Sequence, residues 1–388
     1  MPSISAQRLP RQQIRVMFDR ARELEEQGRR IIHLEIGRPD FDTPAHIVEA
    51  AVQALHTGRH HYAANAGIFE LRQAVAEKYA REYRLDYDPA TEIVVTNGVA
   101  EGVFLVLNAL LDPGDQVLIP DPRWVNYEPV AFTALAEPVG YTLHEGAGFQ
   151  PQPEEIEDRI TPRTRMLILA SPSNPTGGVI GSEIFERLAE LAERHDLLVL
   201  SDEIYEKIIY PPARHICAAT LDGMRQRTVV LNGLSKFYSM TGWRLGFALG
   251  PRRLMDPILR YHQYMITSTN TFAQWGGVTA LSGDQGPAHA MVQEFTRRRD
   301  YISDAVARLP GFSCAKPAGA FYLFPSIKET GLSGVQLSTR LLEKAGVATV
   351  AGEYFGRGGS GHIRISYANS MENLQEAVSR IRENLLEL

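Results

Sequence analysis

An alternation of short apolar runs with helical segments between residues 92 and 250 limits the possible folds more than any other feature. The runs are rich in Val, Ile and Leu, whereas the segments between them carry apolar residues at helical spacing. Buried strands that alternate with helices predict an α/β fold with a mainly parallel central sheet and helices on both faces. The predicted strands are EIVVT, QVLIP, MLILA, LLVLS, TVVLN and LGFALG.

The segments on either side of this region have a different pattern. Residues 11–28 are charged and helical in period, and after the central region helices mix with short strands such as AFYLFP, VATVA and HIRISYA. This predicts a large domain over residues 46–275 and a smaller, discontinuous α+β domain formed by residues 1–45 and 276–388. A chain of 388 residues is long enough for each domain to bury its own core.

Composition excludes several classes of protein. A net charge of −6 does not favour a surface that binds nucleic acid. Cys217 and Cys314 are too few for a disulfide framework and lack the spacing of a zinc site, so we expect no metal. No segment is apolar enough to cross a bilayer, and the N-terminal residues lack the pattern of a secretory signal. We therefore expect a cytoplasmic protein without nucleic-acid or membrane partners.

Polar residues follow several of the predicted strands, at the point where each strand ends. In open α/β sheets, ligands bind beyond the carboxyl ends of the strands. Because those ends meet at one edge of the sheet, side chains that follow different strands should lie close together. The residues placed there are Gly98, Asn174, Asp202, Tyr205 and Lys236.

The chemistry of this set points to one cofactor. A helix that starts near Gly98 offers free N–H groups and a positive dipole end to a phosphate, and Arg244 adds a two-pronged contact. Asp202 follows four apolar residues, so it needs a cation or a protonated nitrogen as partner. Lys236, one of six lysines, is the candidate nucleophile for a carbonyl. A phosphate, a ring nitrogen and an aldehyde in one site describe pyridoxal 5′-phosphate (PLP).

The motifs SPSNPTG, SDEIY and LSKFYSMTGWRLGF resemble the signatures of class I aminotransferases, PLP-dependent enzymes of fold type I. The resemblance extends over nearly the whole chain, since GRPDFDTP, HYAANAGIFELR, LDPGDQVLIPDPRWVNY and RISYA also have counterparts there. It is closest to the bacterial and archaeal subgroup that contains aspartate and aromatic aminotransferases. It implies an enzyme that moves an amino group from an L-amino acid to a 2-oxo acid, with 2-oxoglutarate as the expected acceptor.

The resemblance also implies catalytic roles. Lys236 would bind PLP covalently and, once displaced by substrate, carry the proton between the substrate Cα and C4′ of the cofactor. Asp202 would keep the pyridine nitrogen protonated. Tyr205 and Asn174 would form hydrogen bonds to the phenolic oxygen of the cofactor. In the family, the peptide bond between this asparagine and Pro175 is often cis.

The remaining cofactor contacts are also implied by the resemblance. Trp124 would stack on the cofactor ring. Many relatives have a serine where this chain has Gly233, so Ser235 is the candidate for the missing phosphate contact. Tyr62 would reach the phosphate from the neighbouring subunit, which implies a homodimer. The phosphate cup itself is expected from Gly98, Val99, Ala100 and Arg244.

Substrate binding is expected to centre on Arg364, which by resemblance grips the α-carboxylate with two hydrogen bonds. Gly37 would allow the substrate to approach the backbone closely. The other expected substrate contacts are Asn174, Trp124, Ile14 and Met17, with Tyr322 as a further pocket candidate.

The substrate preference rests mainly on Ala100. Aspartate enzymes of the subgroup often carry a lysine at this position, so a dicarboxylate side chain loses an obvious partner here. We therefore favour neutral or aromatic amino donors, with aspartate aminotransferase as the alternative. Arg38 and Arg123 weaken this preference, because either offers a new carboxylate contact.

Other functions share part of this pattern. A PLP-dependent C–S lyase or decarboxylase would use the same lysine, aspartate and phosphate cup. A PLP-binding sensor, the non-enzymatic alternative, would need an added DNA-binding domain, and the residues before HLEIGRPDF leave no room for one. GRGGSG at residues 356–361 matches the dinucleotide-binding pattern, but a strand-like run follows it, so we expect a loop.

Overall fold

The computed structural model describes residues 4–9 and 13–386, and strands and helices alternate through most of its length. The strands are β1 (Ile32–His33), β2 (Ile93–Thr96), β3 (Gln116–Asp121), β4 (Glu137–Thr142), β5 (Thr164–Ala170), β6 (Leu198–Asp202), β7 (Thr228–Gly233), β8 (Gly246–Leu249), β9 (Tyr322–Leu323), β10 (Val347–Ala348), β11 (Val350–Ala351) and β12 (Ile363–Ser366). The α-helices are α1 (Ile4–Arg8), α2 (Gln13–Glu26), α3 (Ala45–His56), α4 (Phe69–Tyr83), α5 (Val99–Leu110), α6 (Tyr127–Thr133), α7 (Pro153–Glu157), α8 (Ser182–Arg194), α9 (Arg252–Met265), α10 (Thr271–Ser282), α11 (Gly286–Val306), α12 (Gly334–Arg340) and α13 (Met371–Leu385).

The central sheet has the strand order β2-β8-β7-β6-β5-β3-β4. Strands β3 to β7 pair in parallel, and β8 is antiparallel to both of its neighbours. The predicted α/β fold with a mainly parallel sheet is therefore confirmed. Strand β4 was not predicted, because EPVGYT is a half-exposed edge strand that contains Pro and Gly and shows no continuous apolar run.

Helices cover both faces of this sheet, as alternate residues of β5 show. Met166 and Ile168 pack into a cluster with α5, α6 and α9, whereas Leu167 and Leu169 pack with α8 on the other face. Full burial on both faces explains why these strands read as continuous apolar runs in the sequence. No helix within the described residues is long and apolar enough to cross a membrane.

The remaining strands form two small sheets outside the central one. β1 pairs in parallel with β10, which joins the N-terminal segment to the C-terminal part of the chain. β11, β12 and β9 form an antiparallel sheet in that order. The division into a large domain over residues 46–275 and a smaller domain from the two ends stays a prediction, and residues 1–3, 10–12, 387 and 388 of the smaller one lie outside the described residues. The helix predicted over residues 11–28 is observed as α2 from Gln13 to Glu26, and residues 11 and 12 of the prediction lie outside the described residues.

Candidate active site

A cavity of about 440 Å³ opens at the carboxyl ends of the parallel strands. It brings together most of the residues that the sequence analysis selected. Those that line it are Ile14, Gly37, Val99, Ala100, Trp124, Asn174, Asp202, Tyr205, Ser235, Lys236, Arg244, Tyr322 and Arg364.

Lys236 reaches this cavity from the loop that follows β7. Its Nζ donates a hydrogen bond to the carbonyl oxygen of Gly37 at 2.6 Å. Burial, together with the nearby Arg364 and Arg244 guanidinium groups, lowers the pKa of Lys236 from its usual 10.5 to about 8, although Asp202 opposes this shift. An amine with this pKa is partly neutral near physiological pH, as a base or nucleophile must be.

Gly233 is the last residue of β7, directly before the loop that carries Lys236, and it lies in close contact with a neighbouring chain segment. A Cβ at this position would lie 2.8 Å from the carbonyl oxygen of Leu245 on the adjacent chain segment. A side chain here would therefore require these two chain segments to move apart. Ser235 lines the cavity and is almost fully buried, and its hydroxyl, like that of Thr241, is available in the same space.

Asp202 stands at the end of β6 and is 5% exposed. Its Oδ2 accepts a hydrogen bond of 2.6 Å from the hydroxyl of Tyr127, and its Oδ1 accepts one of 3.2 Å from the backbone N–H of Ile204. Burial raises the pKa of Asp202 to about 6, although the Tyr127 hydrogen bond lowers it. The carboxylate therefore lacks a full counter-charge in this cavity and is suited to a protonated ring nitrogen.

Tyr127 was missed by the sequence analysis. It is the first residue of α6, is fully buried and packs edge-on against Trp124 with ring centroids 5.4 Å apart. The spacing of three residues from Trp124 to Tyr127 could have indicated that Tyr127 lies near Trp124 in the site, because residues at this spacing lie on one side of a helical turn.

The predicted phosphate cup is built around the start of α5. Gly98 precedes the helix with φ of 76°, and a Cβ there would collide with the Arg244 guanidinium. Arg244 donates to the carbonyl oxygens of Thr241 at 3.1 Å and Asn97 at 3.3 Å, which holds it beside the helix N-terminus. Free backbone N–H groups, a positive dipole end and a guanidinium together form an anion site.

Arg364 lies on β12 and is 5% exposed. Its Nη1 donates to Oδ1 of Asn174 at 3.0 Å, and its Nη2 donates to the carbonyl oxygen of Glu35 at 2.6 Å. Its Nε is buried and has no partner among the described residues. A buried guanidinium with donors to spare is suited to a carboxylate ligand.

Tyr205 and Tyr322 close the cavity next to Arg364. Their hydroxyl oxygens are 2.8 Å apart, and the Tyr322 ring centroid lies 4.6 Å from Cζ of Arg364. A Cβ at Gly37 would come within 2.6 Å of the Tyr322 hydroxyl, so the glycine is needed for this close approach. The peptide bond between Asn174 and Pro175 is cis.

Two predicted contacts are placed differently. Met17 does not line the cavity: it packs beside the Ile14 face of α2, in a cluster with Ala21 and Leu24. The cavity instead receives Phe18, because it is one helical turn from Ile14 and shares its face. Tyr62 lies outside the cavity of its own chain and is 89% exposed.

The two arginines that weakened the substrate preference differ in their surroundings. Arg123 contacts the carboxylate of Glu128 and lies 3.6 Å from that of Asp121, so its charge is already compensated. Arg38 lines the cavity, is exposed, and forms no hydrogen bond or ion pair with a described residue. Of the two, Arg38 is the one available to a ligand.

Comparison with known proteins extends these observations. The family of class I and II aminotransferases matches residues 29–381. An aromatic-amino-acid aminotransferase 2 from Thermococcus litoralis is 41% identical over 377 residues, which cover 97% of this chain and 96% of that protein. An aspartate aminotransferase from Pyrococcus horikoshii is 40% identical over 379 residues, which cover 97% and 95% of the two chains.

Solved structures agree with the sequence relatives. The aromatic aminotransferase from Pyrococcus horikoshii has a TM-score of 0.90 at 40% identity and covers 96% of this chain and 99% of its own. The aspartate aminotransferase from Thermus thermophilus with maleate has a TM-score of 0.93 at 38% identity and covers 99% of both chains.

Proposed function

The chain belongs to the class I and II aminotransferases, which use PLP, and from this premise we propose that it transfers the amino group of a neutral or aromatic L-amino acid to 2-oxoglutarate. The observation that carries the donor preference is the apolar part of the cavity wall, together with the absence of a cation at Ala100. Ile14, Phe18 and Phe355 contribute side chains to this wall. An aspartate side chain buried against it would lack a counter-charge.

The residues present fit PLP. We propose that the start of α5 and Arg244 hold its phosphate, that Asp202 faces its ring nitrogen and that Lys236 binds its aldehyde carbon. When bound, PLP supplies an electron sink for the electron pair that remains at the substrate Cα after its proton is removed. Trp124 lies in the same cavity and is the aromatic group available to stack on the ring.

The chain's own groups then orient the substrate and move the proton. Arg364 is held by Asn174 and by the Glu35 carbonyl, so its remaining N–H groups present a fixed fork to the α-carboxylate. Lys236 is the amine available to take the proton from Cα and to return it, since burial lowers its pKa to about 8. The hydroxyls of Tyr205 and Tyr322 lie in the same cavity and hydrogen-bond to each other.

Single-turnover absorption measurements with PLP-loaded protein test the proposed donors. Phenylalanine, tyrosine, leucine, alanine and aspartate are added separately without a 2-oxo acid. We expect phenylalanine or tyrosine to react at least about tenfold faster than aspartate, because the apolar wall leaves a second carboxylate unpaired. Fastest turnover with aspartate would contradict this preference, and release of ammonia and pyruvate without an acceptor would indicate a lyase.

Arg38 is proposed to bind the distal carboxylate of the acceptor from the rim of the cavity. Its charge is uncompensated by the described residues, so it is available to pair with a second carboxylate of the ligand. Arg38→Ala should raise KM for 2-oxoglutarate by about tenfold, as expected for one partly exposed charge-assisted contact, and leave KM for pyruvate unchanged.

The matched control for this variant is Arg308→Ala, since Arg308 is also an exposed arginine but lies outside the cavity. Steady-state kinetics with both acceptors measure the effect. An equal change for the two acceptors, or no change for 2-oxoglutarate, would exclude a contact between Arg38 and the distal carboxylate.

We also propose that the enzyme acts as a homodimer in which Tyr62 completes the phosphate site of the partner subunit. The supporting observation is that this large side chain is 89% exposed and does not line the active-site cavity of its own chain. Tyr264, another large side chain, is 90% exposed. Sedimentation at micromolar concentration should give a dimer, and a monomer that retains full activity would contradict the proposal.

A further inference from the structure

Three titratable side chains form a line from the protein surface to the substrate-binding arginine. His33 on β1 lies between two carboxylates: its Nε2 is 3.0 Å from Oε1 of Glu25, and its Nδ1 is 2.7 Å from Oε1 of Glu35. The side chains of Glu25, His33 and Glu35 are 43%, 28% and 0% exposed, so the line runs from solvent to the interior. We call this group the Glu25–His33–Glu35 triad.

The geometry of the triad defines the protonation state of His33. Carboxylate oxygens only accept hydrogen bonds, and a neutral imidazole has one N–H donor and one acceptor nitrogen. Both ring nitrogens contact carboxylates here, so with both carboxylates ionised only the imidazolium can donate to each of them. In agreement, the hydrogen bond to Glu35 raises the pKa of His33 to about 9, against the effect of its burial.

Glu35 depends on this positive charge. Its side chain is fully buried, and its Oε2 has no hydrogen-bond partner among the described residues. A buried carboxylate without a counter-charge is costly, and His33 is the cation in direct contact with it. Loss of the His33 proton would therefore leave one carboxylate facing a nitrogen lone pair.

The backbone of Glu35 connects the triad to the active site. Its carbonyl oxygen accepts the 2.6 Å hydrogen bond from Nη2 of Arg364. Two residues further along, the carbonyl oxygen of Gly37 accepts from Nζ of Lys236. The segment that His33 anchors thus contacts both the carboxylate-binding group and the amine.

We propose that the Glu25–His33–Glu35 triad positions Arg364 for the substrate carboxylate, and that this positioning requires the imidazolium form of His33. The proposal rests on the proposed function, in which Arg364 binds the α-carboxylate. When His33 is neutral, the buried Glu35 carboxylate loses its counter-charge whichever ring nitrogen keeps the proton, and the segment that carries the Glu35 carbonyl oxygen shifts. Arg364 then loses one of the two contacts that fix its guanidinium, and its affinity for carboxylates falls.

The charged groups around His33 set the pH range of this effect. Within the described residues, Glu25 from α2 and Glu35 from its own segment face the ring, and the side chain of Asn369 donates to the His33 carbonyl oxygen. On the far side of this segment, Arg364 donates to the Glu35 carbonyl oxygen. Because the pKa of His33 is raised to about 9, the imidazolium is present at neutral pH and is lost above pH 9. Carboxylate affinity should follow the same direction.

The test uses PLP-loaded protein and 3-phenylpropionate, a carboxylate without an amino group, with its Kd measured by calorimetry from pH 7 to pH 10. His33→Gln should raise Kd about tenfold at pH 7.5, as expected for the loss of one charge-assisted contact. His33→Arg keeps a permanent cation between the carboxylates, so it should bind at pH 7.5 like the unchanged protein and retain that affinity at pH 10.

His144→Gln is the matched control, because His144 also contacts a carboxylate at 2.7 Å, that of Glu155, but on the exposed surface. In steady-state kinetics, His33→Gln should raise KM for donor and acceptor together with little change in kcat. The proposal is overturned if His33→Gln binds 3-phenylpropionate normally, if its weaker binding tracks loss of PLP or a lower Tm, or if the unchanged protein shows no loss of affinity between pH 8 and pH 10. Absence of amino transfer by the unchanged protein would instead reject the proposed function.

Discussion

Replacing Lys236 with methionine should lower kcat for amino transfer by about 10⁴-fold, the upper range for loss of a general acid–base group. Lys236 is the amine that lines the cavity within the part of the chain that the structure describes, so no neighbouring amine can take over the proton transfer. Methionine has a similar length and no charge, so the fold should tolerate it. Steady-state assays with the preferred donor and 2-oxoglutarate measure the loss.

Lys344→Met is the matched control, since Lys344 is an exposed lysine outside the cavity, and it should retain full activity. A Lys236→Met enzyme with more than a tenth of normal kcat would contradict the assigned role. Such a result would mean that another group moves the proton.

The same substitution should stabilise the protein without cofactor. Burial lowers the pKa of Lys236 from 10.5 to about 8, so between these pH values the unfolded chain binds more protons than the folded protein does. At pH values below this range, the cost of burying the charged amine therefore reduces the stability of the folded protein. Lys236→Met should therefore increase the free energy of unfolding near pH 7 by up to about 3 kcal/mol. This advantage should shrink as pH rises from 8 to 10.5, which urea titrations at several pH values can measure.

Asp202→Asn should lower kcat by about 10³-fold, which corresponds to removal of one partner from a buried charge pair. Asparagine keeps the shape of the side chain but cannot hold a ring nitrogen in its protonated form. Burial raises the pKa of Asp202 to about 6 in the absence of a counter-charge, which shows how strongly this position requires one. We expect weaker PLP binding in the same variant.

Two further variants test whether the loss of activity comes from the Asp202 carboxylate. Asp196→Asn changes an aspartate whose side chain is 86% exposed and should have no effect on kcat. Tyr127→Phe removes the 2.6 Å hydrogen bond that lowers the pKa of Asp202, so the acid limb of the pH profile should move to higher pH. An Asp202→Asn enzyme within tenfold of normal activity would show that the carboxylate does not act on the cofactor.

The sequence predicted the parts of the site that depend on strand ends. Asp202 and Lys236 follow neighbouring parallel strands, and such strands end at the same edge of a sheet, so their proximity follows from topology. The resemblance to a known family then supplied residues outside the central sheet, such as Arg364. The structure brings all three to one cavity.

Contacts that depend on packing could not be predicted in this way. Whether Met17 or Phe18 faces the cavity depends on the rotation of α2 about its axis. The sequence pattern does not determine this rotation closely enough to distinguish two adjacent residues. Tyr127 meets Asp202 because of how α6 lies over the sheet. The Glu35 contact to Arg364 uses a backbone oxygen. Because every residue type has this oxygen, the sequence does not indicate which residue makes the contact.

Covalent labelling of Lys236 tests the assigned site most directly. Protein saturated with PLP is treated with sodium borohydride, digested and mapped by mass spectrometry. The peptide that contains Lys236 should carry the reduced pyridoxyl phosphate group, and those of the other five lysines should not. An unmodified Lys236 in saturated protein, or the group on a different lysine, would contradict the assignment.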